Sequence, residues 1–392
     1  MTSESSRPAP PAVLASLGLI IGRNPTRLWG MSATERLNRS LKIAGIKDIR
    51  SYDRIGDFAG GTVLVVSNDW VFDVSIIKGL ATRPNVVVTE PQSGRPVAAH
   101  VDAAQLSAAV ALIEQGSGSL PAGLQFLSAE DVGGNYNHEL RKKESPYLLR
   151  LTPETLAAVE RRMFHGSYKG VTDFVTKFWW PRPAEVVTRW CSHWGMSPNQ
   201  VTTIGAIGVL LSFWAFWNGH YGLGLASGWL MTFLDTVDGK LARVTLTSSK
   251  WGNVFDHGID LIHPPFWWWA WIVGLAAYGQ ATPFDNLILW VILGGYVVQR
   301  IFEGIFEALF GMHPHVWRPF DSFFRLITAR RNPNLVILTP FALAGYPNIG
   351  IWLVALWTGL SLVVHAVQIL QALAARRRGP ITSWLAALSG SA

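Results

Sequence analysis

From residue 199 to residue 375 the chain is mostly apolar, in long runs such as Val201–Trp217 and Pro264–Tyr278. Runs of this length limit the fold more than any other feature. About 20 apolar residues in a helix match the hydrocarbon thickness of a bilayer, and inside it every backbone N–H and C=O must be paired within the segment. The pattern predicts six spanning helices, over 199–219, 221–245, 253–278, 284–311, 334–347 and 349–375. The fifth is short for a span and reads as a barely tilted or partly re-entrant segment.

The basic residues orient this arrangement. The turns near 220, 280 and 348 hold no Lys or Arg. The opposite side carries Arg243, Lys250, Arg318, Arg325, Arg330, Arg331 and Arg376–Arg378. The positive-inside rule makes that side cytoplasmic, and six spans put both termini there. The net charge of +7 follows from these flanks, so no nucleic-acid partner is expected.

Residues 1–170 read differently, with charges spread throughout. Thr62–Ser67 and Asn85–Thr89 are short, β-branched runs expected to be buried strands. Val74–Ala81 and Thr34–Ala44 have helical spacing, the second stopping at Gly45. Asp102–Gln115 reads as a further helix, and Leu151–Arg162 as a helix capped by Thr152. Strands alternating with helices imply an α/β domain. The start, MTSESSRPAPPAVLASLGLII, lacks the basic region of a secretion signal and reads as a tail leading into a buried strand. The single cysteine, Cys191, permits no intrachain disulfide and fits a cytoplasmic soluble part. Between the halves, residues 171–197 carry Phe178, Trp179, Trp180, Trp190 and Trp194. An interfacial amphipathic helix suits them, with an ordinary surface helix as the plainer alternative. The expected organisation is a soluble α/β domain (1–170), an interfacial juxtamembrane helix (171–197), a six-helix membrane domain (198–378) and a tail (379–392).

One polar stretch interrupts the apolar half, DTVDGKLARVTLTSSKWGNVFDHGID at 235–260. Asp235 and Asp238 are three apart, Asp256 and Asp260 four apart, so each pair shares a helix face. Two consecutive antiparallel spans can bring the four carboxylates to one point. There they repel one another unless cations intervene, and oxygen-only ligands suit Mg²⁺ or Mn²⁺, one or two ions. Gly239, Ala242 and Gly252 are small residues along the same faces, and Arg243 is a fixed cation suited to a phosphate. A chance carboxylate cluster, or the ion pathway of a transporter, is the alternative reading.

The same residues resemble the signature of the CDP-alcohol phosphotransferase (CDP-alcohol phosphatidyltransferase) family, D-x-x-D-G-x-x-A-R, eight residues, G-x-x-x-D-x-x-x-D. Asp235, Asp238, Gly239, Ala242, Arg243, Gly252, Asp256 and Asp260 fit it without a gap. The resemblance covers about residues 195–375. It implies transfer of a phosphoalcohol, typically phosphatidyl, group from a CDP-alcohol donor to a hydroxyl acceptor with release of CMP, in phospholipid biosynthesis. It implies that Asp235, Asp238, Asp256 and Asp260 hold two metal ions, with Asp260 as the base and Asp256 catalytic beside it. Gly239, Ala242, Arg243 and Gly252, with Asn199 and Thr202, would bind the CDP moiety. It also implies a homodimer among membrane lipids. The SPNQVT stretch, with Asn199 and Thr202, looks like the family's polar approach to the first span, though a helix N-cap explains it as well.

Further polar residues lie outside the motif. Arg300, Glu303 and Glu307 share a face of the fourth predicted span, facing a cavity or pairing with each other. His365 and Gln368 suit interhelical hydrogen bonds. The loop WRPFDSFFRLITARRNPN supplies Arg318, Arg325, Arg330 and Arg331. With Arg300 these are candidates for an acceptor or lipid phosphate, and lipid headgroup contact is their plainer role. An inositol- or polyol-phosphate acceptor would suit a buried arginine cluster.

The first half has its own resemblance. IIGRNPTRLWGMSATERLNRSLKIAGI and VLVVSNDWVFD are similar to segments of sugar-nucleotide-type nucleotidyltransferases, with Asp69 at the metal-ligand position. The phosphate loop of that family is glycine-rich, whereas GRNPTRLWG has few glycines and Pro25 lacks an N–H. The domain therefore reads as degenerate, or as a generic α/β domain of accidental similarity. A bifunctional enzyme that also makes its CDP-alcohol is one alternative, and an ion-coupled transporter another.

Overall fold

The computed structural model describes residues 14–54, 58, 60–116, 123–137 and 140–387. The N-terminal tail lies outside them. Its contacts divide the chain into two units, one of residues 1–135 with 144–163, the other of 136–143 with 164–392.

The first unit is an α/β layer built on a six-stranded mixed sheet. Its strands are β1 (Leu17–Ile21), β2 (Asp48–Ser51), β3 (Thr62–Ser67), β4 (Val86–Thr89), β5 (Pro96–Asp102) and β6 (Gln125–Leu127). They lie in the order β2-β1-β3-β5-β4-β6. β1 runs parallel to β2 and β3, while β5 is antiparallel to β3 and β4. β1 and β3 are buried along their whole length, as expected of strands covered on both faces. Helices α1 (Ala33–Ile43) and α2 (Val74–Ala81) pack on one side, and α3 (Leu106–Gln115) on the other. Gly45, with φ +95°, ends α1 as anticipated. The helix expected from Asp102 instead starts at Leu106, because β5 keeps pairing with β3 as far as Asp102. The helix expected from Leu151 begins at Leu156. Leu151 N–H is still bonded to Asp69 C=O, and a Thr152–Thr155 hydrogen-bonded turn intervenes.

The second unit is helical. A π-turn at Val175–Trp179 leads into α4 (Pro181–His193). The single helix expected over 171–197 is thus interrupted at Trp180, where Pro181 begins α4 and offers no N–H to the preceding turn. Among the described residues six longer helices follow: α5 (Pro198–Trp217), α6 (Tyr221–Val244), α7 (Lys250–Ala277), α8 (Asp285–Phe310), α9 (Arg331–Leu343) and α10 (Pro347–Arg376). Among the described residues, α5, α8 and α10 are long and apolar enough to cross a membrane. α6 and α7 carry the aspartates, and α9 has only 13 residues. α5 starts with a capping box in which Ser197 and Gln200 bond each other's backbone N–H. Its core is aromatic: Phe216, Trp267, Trp268 and Trp271 are fully buried, and Trp271 Nε1 donates to Pro347 C=O at 3.1 Å.

α5 and α7 approach closely at Gly274, where a Cβ would lie 1.9 Å from the Phe216 carbonyl oxygen. Neither backbone can yield without moving a helix. Gly274→Ala is therefore expected to destabilise the unit by more than the about 1–3 kcal/mol usual for overpacking. A thermal melt in detergent reads this, and an unchanged midpoint would refute so tight a contact.

Candidate active site

The site is assembled by α6 and α7, with the chain segments before α4 and before α9. Asp235 and Asp238 lie near the end of α6, Asp256 and Asp260 in the first turns of α7. Helical spacing turns each pair to one face, and the antiparallel helices bring the faces together. One carboxylate oxygen from each of Asp235, Asp238 and Asp256 lies within 4.8 Å of the others. The fourth aspartate joins through a cation: Arg331 bonds Asp235 Oδ2 through Nη2 at 2.6 Å and Asp260 Oδ1 through Nη1.

Two local features hold the aspartates. Thr202 Oγ1 donates to Asp238 Oδ2 at 2.5 Å, so one carboxylate oxygen is fixed from α5. The other, Asp238 Oδ1, is buried and finds no hydrogen-bond partner among the described residues. A buried carboxylate oxygen left unpaired is costly. With three hard oxygen donors converging beside it, the residues fit a divalent cation. In α7, Pro264 and Pro265 follow Asp260 by one turn. Pro265 cannot bond the Leu261 carbonyl, and Tyr296 Oη donates to that oxygen instead at 2.8 Å. The helix is thus loosened just after Asp260 and braced from α8.

Asp235, Asp256 and Asp260 open into a cavity of about 460 Å³, and Asp238 lies behind its lining. Eight Lys and Arg side chains line it against four Asp, the latter being Asp173, Asp235, Asp256 and Asp260. Cations outnumber carboxylates even without a metal, so the cavity suits a polyanion. Gly239 and Arg243 from the motif line it, and a Cβ on Gly239 would meet only the Arg243 guanidinium, at 3.4 Å. Ala242, Gly252 and Asn199 are outside its lining. Gly252 instead lets α7 pass close to α5, since a Cβ there would lie 2.9 Å from Asn199 Oδ1.

The arginine candidates divide. Arg300, Arg325, Arg330 and Arg331 line the cavity, whereas Arg318 is not among its residues. Arg318 forms a two-nitrogen pair with Asp321, bonds Gln371 and stacks on Trp317 at 4.1 Å. Arg300 and Arg330 are both paired to Glu303, at 3.0 Å for Arg300, with His315 Nε2 3.4 Å from the same carboxylate. Asp173 fastens the segment before α4: it accepts from Thr176 N–H at 3.0 Å and from Asn332 Nδ2 at 3.0 Å. Burial pushes its carboxyl up, but Arg325 and these two donors hold it below the usual range. Burial, helped by Arg330, pulls the Arg325 guanidinium down to about 9. Burial, with Arg141 nearby, takes the His313 imidazole to about 3, so it faces the cavity neutral.

Sequence reasoning did not single out Arg141, Lys169, Asp173, Lys240 or His313, all of which line this cavity. The first three precede the motif by many residues, and no helical period connects them to it. Lys240 lies inside the motif but points away from the acids, its Nζ 3.2 Å above the Tyr168 ring and bonded to Ser167 C=O.

Residues 195–324 match the family model for CDP-alcohol phosphatidyltransferases. Archaetidylinositol phosphate synthase of Pyrococcus horikoshii is 28% identical over 190 residues, which is 48% of this chain and 90% of that protein. Phosphatidylinositol phosphate synthase of Streptomyces avermitilis is 32% identical over 90 residues, 23% of this chain and 35% of that protein. Choline/ethanolaminephosphotransferase 1 of Arabidopsis thaliana is 26% identical over 175 residues, 36% of this chain and 42% of that protein. The crystal structure of Mycobacterium tuberculosis phosphatidylinositol phosphate synthase with CDP-DAG bound aligns with 48% of this chain and 94% of that one. The identity is 19% and the TM-score 0.39.

Proposed function

We propose, from the match of residues 195–324 to the CDP-alcohol phosphatidyltransferase family model, that the chain transfers a phosphoalcohol group from a CDP-linked donor to a phosphorylated polyol, releasing CMP. The observation that carries this reading is the convergence of Asp235, Asp238 and Asp256 at the edge of a cavity, lined by the first and last of them, where cations exceed carboxylates. The acceptor oxygen bonds to the donor's alcohol-bearing phosphorus as the bond from that phosphorus to the CMP oxygen breaks.

Each residue has a role in this reading. Asp235, Asp238 and Asp256, with Asp260, would hold Mg²⁺ or Mn²⁺. When bound, the metal supplies positive charge against the diphosphate and the leaving phosphate. Thr202 keeps the Asp238 carboxylate in place. Arg243 faces the donor phosphates, and Gly239 leaves the wall flat for the nucleotide. Asp260, with its side chain 40% exposed, takes the proton from the acceptor hydroxyl. Arg331 ties Asp260 to Asp235 and so fixes the base relative to the metal ligands. Arg300, Arg325 and Arg330 would receive the acceptor phosphate.

The reading extends to the whole chain. Helices α5 to α10 make six membrane crossings, α4 lies at the interface, and both termini and the site face the cytoplasm. Trp190 and Trp194 of that segment are exposed, as a headgroup-level helix requires. The protein acts as a homodimer. The first unit is a nucleotidyltransferase-like domain that has lost its triphosphate loop. Thr26 N–H is bonded to Asn24 Oδ1 at 2.9 Å and Trp29 N–H to Glu160 Oε1 at 2.8 Å. Loop donors that would meet an anion are thus taken by the chain's own side chains.

CMP release from radiolabelled donors tests the proposal. Wild-type protein should release CMP with Mg²⁺, stop with excess EDTA, and favour inositol phosphate over inositol by about tenfold, as one charge-assisted contact allows. Equal use of the two acceptors would remove the arginine assignment. Ion flux without CMP release would replace the enzyme by a carrier.

A further inference from the structure

We propose that Arg141 and Lys169, from outside the family-matched segment, complete the phosphate-binding wall of this cavity, Lys169 toward the donor diphosphate and Arg141 toward the acceptor's phosphate. The assignment rests on the transfer reading above.

Both residues precede the matched residues 195–324, and both line the cavity that holds the aspartates. Their backbone placement is built, not incidental. The strand pair Tyr136–Asn137 and Lys142–Lys143 is antiparallel, and residues 136–143 group with the helical unit. Gly170 N–H donates to Leu140 C=O at 2.8 Å, and Lys142 Nζ to Gly166 C=O at 2.7 Å. The two segments touch so closely that a Cβ on Gly170 would lie 2.5 Å from the Arg141 carbonyl oxygen. Arg141 takes φ +51°, a left-handed conformation that non-glycine residues seldom adopt without being held there.

Among the described residues, neither side chain makes a hydrogen bond or a short ion pair. Arg141 lies in the field of Glu307, Arg330 and Glu303, and Lys169 in that of Arg243, Arg141, Asp235 and Asp256. The two are thus near each other on one wall, Lys169 on the side of Arg243 and the aspartates and Arg141 on the side of Arg330 and the glutamates. Like charges set side by side are stabilised by an anion between them. A diphosphate next to the aspartates would lie between Lys169 and Arg243. A phosphate on the acceptor would lie between Arg141 and Arg330. The specificity of the transferase for its two anionic substrates is then partly written in residues preceding its motif domain.

Steady-state CMP release by full-length protein in detergent tests this, with CDP-diacylglycerol as donor and inositol phosphate as acceptor. Lys169→Gln is expected to raise the donor KM about tenfold and leave the acceptor KM within twofold. Arg141→Gln should do the reverse, each loss being that of one charge-assisted contact. Arg141→Lys and Lys169→Arg keep the charge and should recover most of the lost affinity. A variant that only disturbs packing would instead lower the thermal midpoint and move both KM values together. Active wild type with variants whose KM values are unchanged, or move together, overturns this assignment alone. Wild type that releases no CMP overturns the transfer reading and this assignment with it.

Discussion

Asp260→Asn is expected to lower CMP release by about 10²–10⁴-fold, the range that a positioned general base supplies. The amide matches the carboxylate in size and still offers Arg331 an oxygen acceptor, so the α7 surface need not repack. What it lacks is a site for the acceptor's proton. Asp260 is the aspartate outside the three-carboxylate cluster, and its side chain is more open to the cavity than that of Asp235. It can therefore reach an incoming hydroxyl. The variant should melt within a few degrees of wild type and still bind CMP, because Asp235, Asp238, Asp256 and Arg243 remain. If turnover stays within about fivefold of wild type, far below that range, the base lies elsewhere and Asp256 becomes the next residue to replace.

Glu303→Leu should destabilise the helical unit by about 3–5 kcal/mol, the cost of breaking a buried ion pair by removing one partner. Glu303 is 9% exposed and serves Arg300, Arg330 and His315 at once. Leucine would leave two half-buried guanidinium groups facing each other across an apolar side chain. The double variant Glu303→Leu with Arg330→Leu should recover part of that loss, since one of the stranded charges goes as well. The coupling between the two sites, from chemical unfolding in detergent, is expected to exceed 1 kcal/mol in magnitude, within the range for residues in one network. Purely additive effects would show that Glu303 does not hold Arg330. The alternative read from sequence, an internal Arg–Glu pair, and the functional one are then not rivals. The pair is internal, and it fixes an arginine that lines the cavity.

Much of this site was legible from spacing alone. Asp235 with Asp238, and Asp256 with Asp260, share faces because a helix repeats every 3.6 residues, and the helices found over 221–244 and 250–277 realise those faces. The apolar runs gave the helical half, and the β-branched runs at Thr62–Ser67 and Asn85–Thr89 gave two strands of the sheet, the second starting at Val86. Boundaries were misplaced where tertiary pairing outweighed local preference. Asp102 stays in a strand because β3 is there to receive it. The segment before α4 breaks because Pro181 starts a new helix rather than continuing the old one.

Sequence by itself determined that four carboxylates stand on two adjoining helices beside an apolar half, because periodicity and hydropathy are local properties that a chain cannot hide. Only the tertiary structure decided which cations meet them. Arg331 reaches Asp235 and Asp260 across 96 and 71 residues. Arg318, from the same loop, turns to Asp321 three residues away. Arg141 and Lys169 come to the cavity from before the motif altogether. Charge acts through space over a few ångströms, and no period in the sequence encodes which distant segments will share those ångströms.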